Sequence, residues 1–207
     1  MRNVILLGPP GAGKGTIAAR VAENADLLHL STGDVLRDEV ARGTKLGELA
    51  RGFMERGELV PDDVVLAMVR ERVAGRDGVL LDGFPRTLAQ AEGLARFLPV
   101  DVVVYLAVAK DEVVRRLSGR RVCGACGAVY NVVSERPQRE GRCDRCGGEL
   151  RQRPDDAPEV VARRYEVYEK DSRPLVEHYA RQGVLVTVDA ARPAHEVAAD
   201  VAKVLRA

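Results

Sequence analysis

The sequence predicts an α/β fold: a doubly wound, five-stranded parallel sheet carrying a P-loop and interrupted by two insertions. Three observations lead there. Five short apolar runs alternate with stretches of helical period, the order expected of repeated strand–helix crossovers. The runs lack clean polar–apolar alternation, which suits strands covered on both faces. Between the first run and the first helical stretch lies the glycine-rich segment GPPGAGKGT, positions 8–16.

Taken in order, the strands are expected over 3–7, 27–30, 79–81, 102–108 and 184–188. A helix over 14–23 follows the first strand. Helices over 35–42, 46–55 and 62–73 come between the second and third strands, the last opened by Pro61 with Asp62 and Asp63. Those over 88–97, 111–117, 158–182 and 194–205 complete the chain, with a bend or break expected near Pro174 because proline removes a helical hydrogen bond. Two segments fall outside the alternation. Residues 31–60 read as a helical insertion. Residues 119–156 are rich in Gly, Pro, Arg and Cys, and so long a connection inside a compact domain must fold as a unit or serve as a cover.

Composition sets the bounds. The chain has 207 residues, 46% of them hydrophobic, enough for one domain with insertions. The net charge of +1 gives no global field toward nucleic acid or an anionic membrane, so any phosphate-binding charge must be local. Aromatics make up 4% and Trp is absent, which argues against a base-stacking surface for single-stranded nucleic acid. The opening MRNVILLGPPG is too short in apolar length for a signal peptide, and no stretch nears the roughly 20 apolar residues of a membrane span. A cytoplasmic protein is expected.

The pattern G-x-x-x-x-G-K from Gly8 to Lys14 sits between an expected strand and helix, the context a phosphate-binding loop requires. Backbone N–H groups of Gly11, Ala12, Gly13 and Gly15 are placed to wrap phosphate oxygens, and the helix adds its positive end. Lys14 supplies a mobile charge for the outer phosphates. The hydroxyl that usually follows the Lys is displaced by Gly15 to Thr16.

Cys123-x-x-Cys126 and Cys143-x-x-Cys146 have sixteen residues between them. Two such knuckles read as a tetrahedral Cys₄ zinc site with no open position, hence structural. Free thiols or two disulfides are the alternatives, the latter disfavoured in a reducing compartment. A zinc ribbon beside the Arg-rich stretch 136–153 also admits a nucleic-acid role, but those arginines overlap the phosphate-binding set described next.

Together with the loop, the blocks STGDVLR (31–37), LVPDDVV (59–65), LLDGFPRT (80–87), GRR (119–121), RPDD and ARR closely resemble adenylate kinases, in order and over essentially the whole length. The GKGT ending of that family accounts for the position of Thr16. The resemblance implies magnesium-dependent transfer, ATP plus AMP to two ADP. It also implies three parts: a core of residues 1–30, 61–118 and 157–207, an AMP-binding domain of 31–60, and a lid of 119–156. The lid resembles the zinc-bearing lids of some bacterial members, with Cys146 where others use Asp.

Bound ATP and AMP carry about six negative charges, so the site needs several cations. By resemblance, Lys14, Arg86, Arg120, Arg153 and Arg164 are catalytic, and the AMP phosphate falls to Arg37 and Arg86. Thr32 and Gln90 face the AMP base, and Glu58, Leu59, Val60, Gly83, Phe84 and Pro85 line that site with Arg153 and Arg164. Arg116, Arg120, Val129, Tyr130 and Arg192 belong to the ATP side; Arg192 stands where several relatives have Lys, which shifts weight to its backbone. Asp82 and Thr16 hold magnesium through waters. His29, His178 and His195 are scattered and are assigned no catalytic part. A monomer is expected, with no nucleic-acid or membrane partner. The rival readings are a kinase of other nucleoside monophosphates, and a non-catalytic, nucleotide-gated zinc module that binds RNA or protein.

Overall fold

A computed structural model describes residues 2–206. Its centre is a parallel sheet of β1 (Val4–Leu7), β2 (Leu28–Ser31), β3 (Val79–Asp82), β4 (Val102–Ala107) and a last strand, Leu185–Asp189, in the order β2-β3-β1-β4-last. The expected doubly wound five-stranded sheet is therefore present, with strand bounds within about one residue at most ends. Alternate side chains enter two separate cores, as a pleated strand requires. Ile5, Leu7, Val79, Leu81 and Val103 face one; Val4, Leu6, Leu80, Val104 and Leu106 face the other. All four residues of β1 and of β3 are buried, which is why their sequence shows no alternation.

The last strand departs from that rule. Val186 and Thr187 are exposed because it forms the sheet edge, so the expectation of cover on both faces fails there.

One face is covered by α1 (Lys14–Ala25) and by the C-terminal helix Ala194–Arg206, through Ile17, Val21, Val197 and Val201. The other face receives α4 (Asp62–Val73), α5 (Leu88–Ala95) and a helix over Pro174–Arg181. The helical insertion is α2 (Thr32–Arg42) and α3 (Lys45–Glu55), capped by the hydroxyls of Ser31 and Thr44. These two helices cross tightly at Gly47, where a Cβ would stand 2.1 Å from the Glu39 carbonyl oxygen.

The helical stretch expected over 158–182 is broken near Pro174 as expected, and is in three pieces. α7 (Pro158–Val167) runs into a π-helical turn, Tyr168–Ser172, before α8 (Pro174–Arg181). Pro174 lacks the N–H that would continue the helix, and the wider turn puts the Arg173 N–H on the Tyr168 oxygen at 2.8 Å.

α6 (Lys110–Gly119) leads into the second insertion, a small antiparallel sheet of β5 (Arg120–Cys123), β6 (Val129–Asn131) and β7 (Leu150–Arg151), with β5 central. The strand that closes the parallel sheet is then β8 (Leu185–Asp189), followed by α9 (Ala194–Arg206). The buried core of the small sheet is only Cys123, Ala128, Cys143 and Leu150, with Tyr130 against it.

Candidate active site

Two cavities open at the carboxyl ends of the parallel strands, where ligands bind in open α/β sheets. The first is lined by Thr32, Arg37, Glu58, Leu59, Val60 and Gln90; the second by Gly8, Pro10, Lys14, Pro85, Tyr105 and Tyr168. Gly57, Leu59, Gly83, Arg86 and Arg164 belong to both. The two cavities thus meet at a shared wall carrying two guanidinium groups.

The loop of the second cavity is shaped by glycine. Gly8, Gly11 and Gly13 hold φ of 147°, 78° and 92°, and a Cβ on Gly8 would strike the Leu106 oxygen at 2.8 Å. α1 begins at Lys14 with no side-chain cap and no acidic residue in its first turn. Its leading N–H groups are therefore left to a ligand, unlike those of α2, α3 and α5, which hydroxyl side chains cap. Lys14 folds back, its Nζ donating to the Gly8 and Pro9 oxygens at 2.7 and 2.9 Å. Burial draws its pKa down to about 8 against the pull of Asp82, and the nearby Arg86, Arg164 and Arg120 add to the lowering.

Asp82 ends β3, buried beside the loop, with its Oδ2 3.3 Å from where a Cβ on Gly15 would lie. The ring of His29 on β2 stands 3.5 Å from the same oxygen. His178 contacts Gln182, and His195 is exposed on α9; neither reaches the cavities.

The arginines are gathered on carboxylates. Arg120 reaches Asp156 through Nε at 2.8 Å and Nη2 at 2.5 Å. Arg164 bonds Asp155 and Asp156 at 3.1 and 3.3 Å. Arg37 sits on Asp34 at 2.6 Å and 3.9 Å from Asp155; Arg153 lies 3.5 Å from Asp34. Arg86 donates from Nε to the Gly83 oxygen at 2.7 Å, and burial and Arg164 draw it down to about 10. Burial and Arg37 draw Arg153 to about 10 as well. Burial raises Asp155, yet Arg164, Arg37, Arg120 and Arg153 outweigh it and hold the carboxyl low. The region is a cluster of mutually repelling cations held by a few acids, a charge pattern that a polyphosphate relieves.

Of the residues expected around the first cavity, Thr32, Arg37, Glu58, Leu59, Val60, Gly83, Arg86, Gln90 and Arg164 line it. Pro85 lines the second cavity, and the Phe84 side chain is fully buried in the core beneath. On the other side, Arg116 donates to the Ala190 oxygen at 2.7 Å, and Asn131 donates to the Arg116 oxygen at 2.9 Å. Arg116 therefore ties the end of β6 to the residue that follows β8. The Arg192 guanidinium is taken up by Asp200 at 2.5 Å. The Tyr130 hydroxyl accepts from the Asp144 N–H at 2.8 Å and stands 3.5 Å from the Cys143 sulfur, within the small sheet's own core.

From the sequence, Asp34, Asp155 and Asp156 carry no expected role, and Asp62 only that of opening α4. All lie within the blocks STGDVLR, LVPDDVV and RPDD, so the signal was an acid beside an expected ligand residue.

The four cysteine sulfurs lie within 4.8 Å of one another, and Cys123–Cys146 and Cys126–Cys143 are each 3.5 Å apart. A tetrahedron of Zn–S bonds of about 2.3 Å has edges of roughly 3.8 Å, so the set fits such an ion.

Comparison with known proteins shows the family. The family described as adenylate kinase matches residues 6–184. The adenylate kinase of Archaeoglobus fulgidus is 47% identical over 98% of this chain and 97% of its own. That of Acidothermus cellulolyticus is 49% identical over 99% and 98%, and that of Petrotoga mobilis 43% over 99% and 97%.

Proposed function

The chain belongs to the adenylate kinase family and is an ATP:AMP phosphotransferase, and we propose that the two joined cavities are its donor and acceptor sites. The observation that carries this is the shared wall. Arg86 and Arg164 line both cavities, so a phosphoryl group passing between two nucleotides stays beside positive charge throughout. A site for hydrolysis has no use for a second pocket.

In this reading the loop 8–16 and Lys14 hold the ATP phosphates, Arg37 and Arg86 hold the AMP phosphate, and Thr32 and Gln90 meet the AMP base. Arg120, Arg153 and Arg164 leave their carboxylates for the phosphates as residues 119–156 close over residues 31–60 and the core. Closure excludes water, which would otherwise accept the phosphoryl group. Phosphoryl transfer then needs alignment and charge more than a base, consistent with histidines that lie outside the cavities.

Magnesium enters with ATP and neutralises phosphate charge; the oxygen donors Asp82 and Thr16, adjoining Gly15, suit this hard cation through water. Cys123, Cys126, Cys143 and Cys146 hold a zinc ion that folds the lid, whose own apolar core is too small to do so. Among the described residues, no helix is long and apolar enough to cross a membrane. The protein works as a cytoplasmic monomer on ATP, AMP and ADP, without nucleic acid.

A coupled nucleoside diphosphate assay with ATP and each monophosphate tests the reading. Turnover with AMP in magnesium far above that with other monophosphates is expected. Absence of AMP turnover overturns it.

A further inference from the structure

Gln90 is held by a network whose outer member, Asp62, has no place in the roles above. Gln90 is 2% exposed and lines the first cavity. Its Oε1 accepts from the Arg86 backbone N–H at 2.7 Å. Its Nε2 donates to Asp62 Oδ1 at 2.7 Å. The other oxygen, Oδ2, accepts from the Thr87 hydroxyl at 2.9 Å, and that hydroxyl accepts from the Gln90 backbone N–H at 3.0 Å.

This arrangement admits one orientation of the amide. A backbone N–H can only donate and an ionised carboxylate can only accept. Turning the amide over would set NH₂ against the Arg86 N–H and oxygen against the Asp62 carboxylate, leaving two buried contacts repulsive. The amide thus has one lone pair and one hydrogen left for a base, in a fixed order. Thr32 adds to the pattern: its hydroxyl donates to the Gly83 oxygen at 2.9 Å, so toward a ligand it has only acceptor capacity left.

We infer that Asp62 is the positioning residue that fixes the donor–acceptor order of Gln90, and through it the choice of a 6-aminopurine over a 6-oxopurine monophosphate. Two acceptors and a donor complement the amino group and unprotonated N1 of adenine. A 6-oxopurine has an acceptor oxygen and an N1–H donor, which reverses the order. Asp62 touches no substrate; it acts by making the reversed amide costly. Sites that read hydrogen-bonding groups in this way discriminate more strongly than those that read shape.

The inference rests on the first cavity being the AMP site, and the experiment separates the two. Steady-state kinetics are measured with ATP and either AMP or inosine monophosphate, for the wild type, Asp62→Ala and Asp62→Asn. Asp62→Ala is expected to raise the inosine-to-adenosine ratio of kcat/KM about tenfold, mainly through a higher KM for AMP. KM for ATP stays within about twofold. Asp62→Asn, whose side-chain oxygen still accepts from Gln90, shifts the ratio less. Asp63 remains in the first turn of α4 in both variants and preserves its acidic start; should Asp62→Ala fail to fold, Asp62→Asn carries the test alone, with a shift of a fewfold. An unchanged ratio in a folded variant overturns the role of Asp62 while leaving the enzyme's function intact, as does a rise in KM for ATP in step with that for AMP. A wild type that does not turn over AMP overturns both.

Discussion

Asp156 grips Arg120 with both carboxylate oxygens, at 2.8 and 2.5 Å, from a side chain with no exposed surface. Arg164 adds a third contact to the same carboxylate at 3.3 Å. One buried acid thus restrains two arginines that repel each other.

Replacing that acid exposes the repulsion. Asp156→Ala should destabilise the free protein by about 3–5 kcal/mol, the cost of leaving buried charge uncompensated. Saturating ATP and AMP should recover more stability in the variant than in the wild type, because phosphates then pair with both arginines. Thermal unfolding with and without nucleotides measures this. Equal nucleotide-induced shifts in the two proteins would show that Asp156 and phosphate do not substitute for one another.

Lys14 should give the enzyme a pH dependence of its own. Lys14→Ala is expected to keep the fold and lose most activity, since the charge beside the outer phosphates goes. In the wild type the free-enzyme pKa is about 8, below the ordinary lysine value of 10.5. Below about 8 the site is charged and ready. Above it, binding phosphate requires uptake of a proton, so KM for ATP should rise by up to about tenfold per pH unit. Lys14→Arg keeps its charge and should lack that rise; parallel profiles for the two would refute the assignment. Stability has the opposite sign. Between about 8 and 10.5 the unfolded chain binds this proton more tightly than the folded one, so the contribution of Lys14 to stability increases with pH.

Elemental analysis should find about one zinc per chain. Removing it should lower the unfolding temperature and melt the 120–151 sheet first, because Cys123 and Cys143 are themselves half of that sheet's buried core. Activity at temperatures where the sheet stays folded should change less than stability does, since Arg120 then keeps its place at the head of β5 and Lys14, Arg86 and Arg164 lie outside this sheet. Unaltered stability in fully metal-free protein would rule out a structural ion.

The parallel sheet was legible because its strands are mostly apolar, and the wholly buried β1 and β3 show no polar alternation. The start of α2 was misplaced by three residues because the apolar pattern begins at Val35, whereas the helix begins at Thr32 behind its Ser31 cap. The strands β5, β6 and β7 were invisible: half of their buried core is cysteine, and Ala128 and Leu150 alone are too few to leave a period of two in the hydrophobic pattern. The cationic residues were found through their motifs. Their acidic partners were not, since an Asp next to an Arg reads in sequence as a solvated pair. Only the fold shows that Asp34 and Asp156 join residues 119 and 36 positions apart.

Gly47 links the packing of the helical insertion to its chemistry. It lies at the crossing of α2 and α3, where an added Cβ would stand 2.1 Å from the Glu39 oxygen and 2.6 Å from the Val40 nitrogen. These are backbone atoms, so the clash is relieved only by moving one helix. Gly47→Ala should therefore cost about 1–3 kcal/mol, as overpacking does. α2 carries Thr32 and Arg37 into the first cavity, and α3 carries Met54 to its rim. A displaced pair should raise KM for AMP several-fold and leave KM for ATP near its wild-type value, because no residue of α2 or α3 lines the second cavity. Steady-state kinetics with each nucleotide varied in turn decide this. Equal changes in both constants would mean that the strain spreads into the sheet rather than staying in the insertion.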